Sequence, residues 1–307
     1  MKMNKHSYTI DRRTFLKLTG LGASSMFMPS CLFSSKPRII KFGLVTDSHY
    51  ADREPNGKRY YRESLDKMRE CIAVFNREKV AFAIHLGDFK DQDLNERSED
   101  TLSYLRAIEA IYGEFQGPRY HCVGNHDVDS IRKGVFLANI ENTGISNKDS
   151  YYSFDNSGYH FVVLDANYSQ DGTDHYYKDG VDWQNTNIPS FELDWFRNDL
   201  KSTDLPTIVF CHHPIYPFPS RNHNLRVNNF EAVQQIMNSS GKVIAAFQGH
   251  VHKEDYMNID GIHYSTQLAM VDHSGMENNS FSIVTIDEKQ IQIDGYKRVV
   301  DQKYLLS

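Results

Sequence analysis

Five short clusters carry the residue types that could do chemistry: Asp47-Ser48-His49, Gly87-Asp88, Gly124-Asn125-His126-Asp127, His212-His213-Pro214 and Gly249-His250-Val251-His252. Each follows an apolar run of strand character. In an α/β sheet, sites form at the carboxyl ends of strands. Five such ends with one chemistry therefore predict one site. Asp47 and His49 are two residues apart, so their side chains can point the same way. Asp88 follows a glycine, which permits a tight turn. Asn125 offers a neutral amide oxygen after another glycine, and His212, His250 and His252 complete the donor set. Mixed carboxylate, amide and imidazole donors argue against a cysteine-rich structural zinc site and an all-oxygen calcium cage. They suit manganese, iron or zinc. Two such ions roughly 3.5–4 Å apart lower the pKa of a shared water and clamp phosphoryl oxygens. The expectation is two divalent or mixed-valence metal ions (Mn, Fe or Zn) hydrolysing a phosphate ester.

The elements that must position these groups can be traced along the chain. Arg38–Thr46 reads as a first strand, and a helical stripe follows through Tyr61, Leu65, Met68, Ile72 and Phe75. Val80–Leu86 is a second strand. The acidic run 91–100 reads as a solvated face. Leu102, Leu105, Ile108, Ile111 and Phe115 form a second stripe, stopped by Gly117-Pro118, and a third strand begins at Arg119. Strand, helix, strand, helix, strand implies parallel pairing with crossover helices. Asp155–Gly158 between two aromatic runs predicts a hairpin. Residues 166–189 form a polar, aromatic loop, long enough to be functional or mobile. A helix over 191–200 with Ser190 as its cap, a strand at 207–211, a helix at 230–237 and a strand at 243–248 follow. The tail alternates in short strands, with a hairpin at Asp287-Glu288.

The 307 residues are 40% hydrophobic and 24% charged, with a formal net charge of −6. That is globular composition, and the acidic total argues against nucleic-acid binding. It permits a small phosphorylated substrate, because bound metals supply local positive charge. Cys71, Cys122 and Cys211 read as buried free thiols. Residues 1–35 read as an export signal: Arg12-Arg13 lies in a twin-arginine pattern, followed by a short apolar stretch and Ser30-Cys31. The apolar stretch falls short of the roughly 20 residues a spanning helix needs. The expected location is outside a bacterial cytoplasm, in the periplasm or on a membrane through a lipidated Cys31. Residues 36–307 are then one catalytic domain, with no protein partner inferred.

The order Asp-x-His, Gly-Asp, Gly-Asn-His-Asp, His, Gly-His-x-His resembles the calcineurin-like metallophosphoesterase superfamily. The resemblance implies an α/β fold, a four-layer α/β/β/α metallophosphoesterase sandwich of two packed mixed sheets. It implies Asp47, His49 and His252 on one metal, Asn125, His212 and His250 on the other, and Asp88 bridging. It further implies in-line attack on phosphorus by a hydroxide held between the metals. By the same resemblance His126 faces the substrate and protonates the leaving group, and Asp127 orients its ring. Tyr50-Ala51-Asp52, Lys58–Leu65, Val163–Ala166, His213–Pro217 and Asn229–Val233 are similar to the manganese-dependent ADP-ribose/CDP-alcohol diphosphatases, which cleave pyrophosphate links. His49 departs from that group, where glutamine is expected, and so does the leader.

From these follow an expected activity on phosphodiester or pyrophosphate bonds of nucleotide-like or small organic substrates. The alternatives are a phosphomonoesterase or phosphoprotein phosphatase, and a non-catalytic cell-surface binding protein. Arg59, Tyr61, Arg62 and Tyr216 are the candidate substrate-binding residues; the competing reading packs them locally. His213 reads as the neighbour of a ligand rather than a ligand. Asp272-His273-Ser274 either lines the same cleft or closes a loop.

Overall fold

In the computed structural model, two six-stranded sheets form with strand orders β12-β11-β10-β1-β2-β3 and β4-β5-β6-β7-β9-β8. The structure describes residues 38–94, 97–218 and 225–306. The twin-arginine pattern and Cys31 lie outside them. The first sheet begins with β1 (Ile39–Val45), β2 (Ala83–His85) and β3 (Arg119–His121), which pair in parallel. Their connections are α1 (Ser64–Glu78) and α2 (Ser98–Tyr112), as the two stripes predict. β10 (Ser280–Asp287) pairs antiparallel with β1 and turns through the expected hairpin into β11 (Gln290–Lys297), which β12 (Gln302–Leu305) flanks.

The second sheet opens on the hairpin β4 (Tyr152–Asn156) and β5 (Tyr159–Leu164). β5, β6 (Thr207–Cys211), β7 (Val243–Gln248) and β9 (Ile262–Thr266) run parallel, and β8 (Asp255–Ile259) closes the edge. The short helix α3 (Lys133–Leu137) follows the Gly124 block, and α4 (Ser190–Ser202) and α5 (Phe230–Ser240) belong with the second sheet. Ser190 is the first helical residue rather than the cap. Pro189 precedes it with extended backbone, and no side chain caps that end; proline's fixed φ suits a helix entry without needing a donor.

Strand alternation explains the layering. Phe42, Leu44, Phe82 and Ile84 of the first sheet meet Phe161, Val163, Phe210 and Phe247 of the second in one core. Val45, Ala83, Phe281 and Ile283 turn the other way, onto Met68, Phe75, Leu105 and Ile108 of α1 and α2. Val162, Leu164, Val209 and Ala246 likewise meet Phe196, Phe230, Val233 and Met237 of α4 and α5. The result is the α/β/β/α sandwich. In its middle, the Phe42 and Phe82 rings stack at 4.9 Å and the Phe161, Phe210 and Phe247 rings surround Phe42 at 5.8–6.1 Å. Each fully buried ring contributes about 1.5–3 kcal/mol of transfer free energy.

This core holds the ends of β1, β2, β3, β6 and β7 side by side at one rim. Backbone bonds lock them there: Asp47 N to Gly87 O at 3.0 Å, His49 N to Asp88 O at 2.9 Å and Gly249 N to His212 O at 3.0 Å. Cys71, Cys122 and Cys211 are buried free thiols. Among the described residues no helix is long and apolar enough to cross a membrane.

Far from that rim, His160 on β5 ties the hairpin to α4. Its Nδ1 lies 2.6 Å from Asp155 Oδ1 and its Nε2 2.8 Å from Asp199 Oδ2. Burial works against its charge, but Asp199 and Asp155 outweigh it and hold the imidazolium above its ordinary pKa. A raised folded-state pKa adds stability that is fully present below the unfolded value and is lost as pH rises through the folded one. His160→Gln is therefore expected to cost about 1–2 kcal/mol near pH 6, mostly from the shielded Asp199 because Asp155 is exposed and screened. The deficit shrinks toward alkaline pH. Urea denaturation of metal-free protein at several pH values measures it; a pH-independent difference would refute the ionic account.

Candidate active site

The five blocks converge on two adjoining donor clusters. In the first, His49 Nε2 lies 3.0 Å from His252 Nε2 and 3.7 Å from Asp47 Oδ1, and His252 Nε2 lies 3.4 Å from Asp47 Oδ1. In the second, His212 Nε2 lies 3.3 Å from both Asn125 Oδ1 and His250 Nδ1. Asp88 Oδ2 joins them, 3.4 Å from His49 Nε2 and 3.2 Å from His212 Nε2. All seven side chains are buried.

Local backbone makes this convergence. Asp47, His49, Asp88, His250 and His252 all have φ between 44° and 71°. Such left-handed conformations cost a non-glycine residue of order 1–3 kcal/mol and persist where surrounding structure enforces them. They fold each strand end back over the sheet rim. Glycine permits the contact between blocks: a Cβ on Gly124 would lie 2.1 Å from Asp88 N, and one on Gly249 2.1 Å from Thr46 Oγ1.

The donor chemistry fits a pair of cations. Ligands at about 2.0–2.2 Å from an ion sit about 3–3.6 Å from one another, as these atoms do except for the His49–Asp47 pair at 3.7 Å. Their outer nitrogens are held from behind: His49 Nδ1 by Asp91 Oδ2 at 3.1 Å, His252 Nδ1 by Asp272 Oδ1 at 3.0 Å, and His212 Nδ1 by the Leu86 carbonyl at 2.9 Å. That pattern fixes the tautomer that points Nε2 inward. Lys58 in turn holds Asp272 at 2.6 Å. Burial raises the pKa of Asp88, but the His212, His126 and His49 rings outweigh it and hold the carboxyl well below its ordinary value. Burial and the His212 ring push His250 down to about 3, leaving it in the neutral form that ligates. Buried carboxylates without counterions are costly, and cations at these positions would neutralise them.

A cleft of about 340 Å³ opens beside the clusters, lined by Asp88, Asn125, His126, His250, Arg59, Trp183 and neighbours. His126 presents its ring there with its side chain 27% exposed. Its Nδ1 lies 3.3 Å from Asp91 Oδ1 and 3.7 Å from Asp129 Oδ2, and its Nε2 3.5 Å from Arg59 Nη1.

A sequence profile described as calcineurin-like phosphoesterase matches residues 40–254. The chain belongs to that family. It is a metal-dependent phosphoesterase, a hydrolase. The chain is 25% identical over 280 residues to the manganese-dependent ADP-ribose/CDP-alcohol diphosphatase of Oryza sativa subsp. japonica, covering 78% of this chain and 86% of the relative. To the protein of that name from Homo sapiens it is 24% identical, covering 89% and 95%. A dimetal phosphatase structure from Danio rerio superposes with a TM-score of 0.76 at 21% identity, over 89% of this chain and all of that one.

Several sequence expectations for this phosphoesterase need correction. Asp127 does not orient His126. Its Oδ1 accepts from Phe89 N at 2.9 Å and its Oδ2 from Gly124 N at 2.8 Å, so it pins the Gly87 and Gly124 blocks together. Asp91 and Asp129 face the ring instead. Asp91 was read with the solvated acidic run, yet it is 2% exposed; the signal available was its place three residues after Asp88. Of the substrate candidates, only Arg59 lines the cleft. Tyr61 is buried beside Ala51, Ala269 and Val271. Arg62 is exposed and pairs with Asp52 and Glu54. Tyr216 is fully buried, its hydroxyl donating to Asp255 at 2.6 Å. Aromatic and basic types near a motif do not reveal which face of the backbone they take. Asp272 belongs to the site through His252, while His213 packs on His250 with ring centroids 4.5 Å apart.

Proposed function

We propose that this phosphoesterase hydrolyses the pyrophosphate or phosphodiester bond of small nucleotide-like substrates. In this reading Asp47, His49 and His252 hold one ion, Asn125, His212 and His250 hold the other, and Asp88 serves both. The observation that carries it is Asp88 Oδ2, which stands within 3.4 Å of a donor from each cluster. Two divalent ions bound there, manganese by analogy with the named relatives, would activate water and neutralise phosphoryl oxygens. The chain's own residues do the rest. Arg59 offers a guanidinium to the oxygens of a phosphate in the cleft. Water adds to phosphorus, the bond to the leaving oxygen breaks, and His126 Nε2 delivers a proton to that oxygen. Asp91 keeps the ring charged and aimed.

The pyrophosphate reading is favoured by relatives whose names specify ADP-ribose and CDP-alcohols. The export pattern at Arg12-Arg13 supports a site of action outside the cytoplasm, with Cys31 as a tether. Mn-, Fe- and Zn-loaded protein should be assayed on ADP-ribose, CDP-alcohols, cyclic nucleotides and aryl mono- and diesters. Manganese-dependent release of nucleoside monophosphate from the diphosphates is expected to dominate. Faster turnover of monoesters would replace this reading with the phosphomonoesterase one, and inertness of metal-loaded protein on the whole panel would leave a binding protein.

A further inference from the structure

One wall of the cleft comes from the segment between β5 and α4 rather than from the five blocks. Tyr177 and Trp183 of that segment line the cleft with Arg59 and His126. Trp183 is 40% exposed, and its ring centroid lies 6.0 Å from that of His250 with the planes at 63°. Its place in the lining of the cleft beside the donor clusters makes that ring a surface on which a planar ligand group can pack. The wall is anchored. Asp182 O accepts from Asn185 N at 3.0 Å, and Asn228 Nδ2 donates to Asn185 Oδ1 at 2.9 Å. On the other side, Asp179 pairs with Arg132 at 3.0 Å, and that guanidinium covers the Tyr176 ring at 4.2 Å.

An indole face and a guanidinium in one cleft match two parts of one molecule: a planar base and a phosphate.

We infer that Trp183 is the platform on which the base of a nucleoside 5′-diphosphate compound stacks. The inference rests on the phosphohydrolase reading above. It also fixes which phosphorus reacts. Trp183 stands against His250, and a base is separated from its own phosphorus by one ribose, so the nucleoside-bearing phosphorus occupies the centre. Water oxygen bonds to that phosphorus, the anhydride P–O bond breaks, and the other phosphate leaves with the anhydride oxygen and a proton.

The chain has two tryptophans. The other, Trp195, packs on Tyr151 at 4.9 Å, so Trp195→Phe leaves Trp183 as sole reporter. In manganese-loaded Trp195→Phe protein, AMP is expected to quench the fluorescence and ribose 5-phosphate is not. Trp183→Leu is expected to raise KM for ADP-ribose about ten- to hundredfold, the range for loss of one base–aromatic stack. Trp183→Phe should restore most of that loss. Hydrolysis in 18O-water should label AMP. Equal response to AMP and ribose 5-phosphate, an unchanged KM in Trp183→Leu, or label in ribose 5-phosphate overturns the inference. A wild-type protein that ignores ADP-ribose defeats the diphosphatase reading instead, and the AMP titration still decides the platform.

Discussion

Asp88→Asn is expected to lower kcat/KM by about a thousandfold or more, equivalent to about 4 kcal/mol, and to lower bound metal below two ions per chain. Asp88 Oδ2 lies 3.4 Å from His49 Nε2 and 3.2 Å from His212 Nε2, one donor of each cluster. An amide there either turns hydrogens toward His49 and His212 or offers a neutral oxygen with no charge to share between ions. Its other oxygen accepts from His126 N at 2.7 Å, so the substitution also loosens the backbone of the proposed acid. Because ions bind the folded state, the wild type should gain thermal stability on adding manganese and the variant much less. With metal chelated, the variant should remain folded, because its loops are still tied by the backbone bonds at Asp47 N and His49 N. Elemental analysis beside a rate assay separates the outcomes. Near-normal turnover with two ions bound would end the assignment of Asp88 as a shared ligand.

Much of this was legible in residue types and their order. Apolar runs before each block located the ends of β1, β2, β3, β6 and β7, because a strand buried on both faces must read as a continuous apolar stretch. Donor identity located the centre, since few other roles require so many buried imidazoles and carboxylates. What escaped was orientation. Tyr61 and Tyr216 both adjoin motifs, but one turns into a small cluster with Ala269 and Val271 and the other into the second helix layer. Their directions depend on tertiary packing. Asp91 was hidden by its acidic neighbours, because composition alone does not distinguish the one carboxylate that the chain folds inward. Trp183 sits in a segment with no periodicity, where pattern carries no information about what the chain packs against. The left-handed backbone at Asp47, His49, Asp88, His250 and His252 was equally invisible; it is imposed by the sheets behind them, against local preference.

His126→Ala is expected to keep both ions yet slow kcat about a hundred- to ten-thousandfold on substrates with poor leaving groups, the usual range for a lost general acid. The shortest contacts of the His126 ring nitrogens run to Asp91, Asp129 and Arg59, and the seven donors of the two clusters are complete without it, so metal content should hold. An aryl ester with a good leaving group needs little proton donation, and its rate should fall far less. The pH profile gives an independent check. Burial lowers the pKa of His126, but Asp91 and Asp88 outweigh it and hold the ring well above an ordinary imidazole. A general acid works in its protonated form, so activity is present below that pKa and declines as pH rises through it. Asp91→Asn removes the largest of those attractions and should move the alkaline limb to lower pH. The same substitution releases His49 Nδ1, so the shift must be measured at saturating manganese. An alkaline limb unmoved in Asp91→Asn, together with equal slowing of good and poor leaving groups in His126→Ala, would leave His126 a positioning residue and require another proton donor in the cleft.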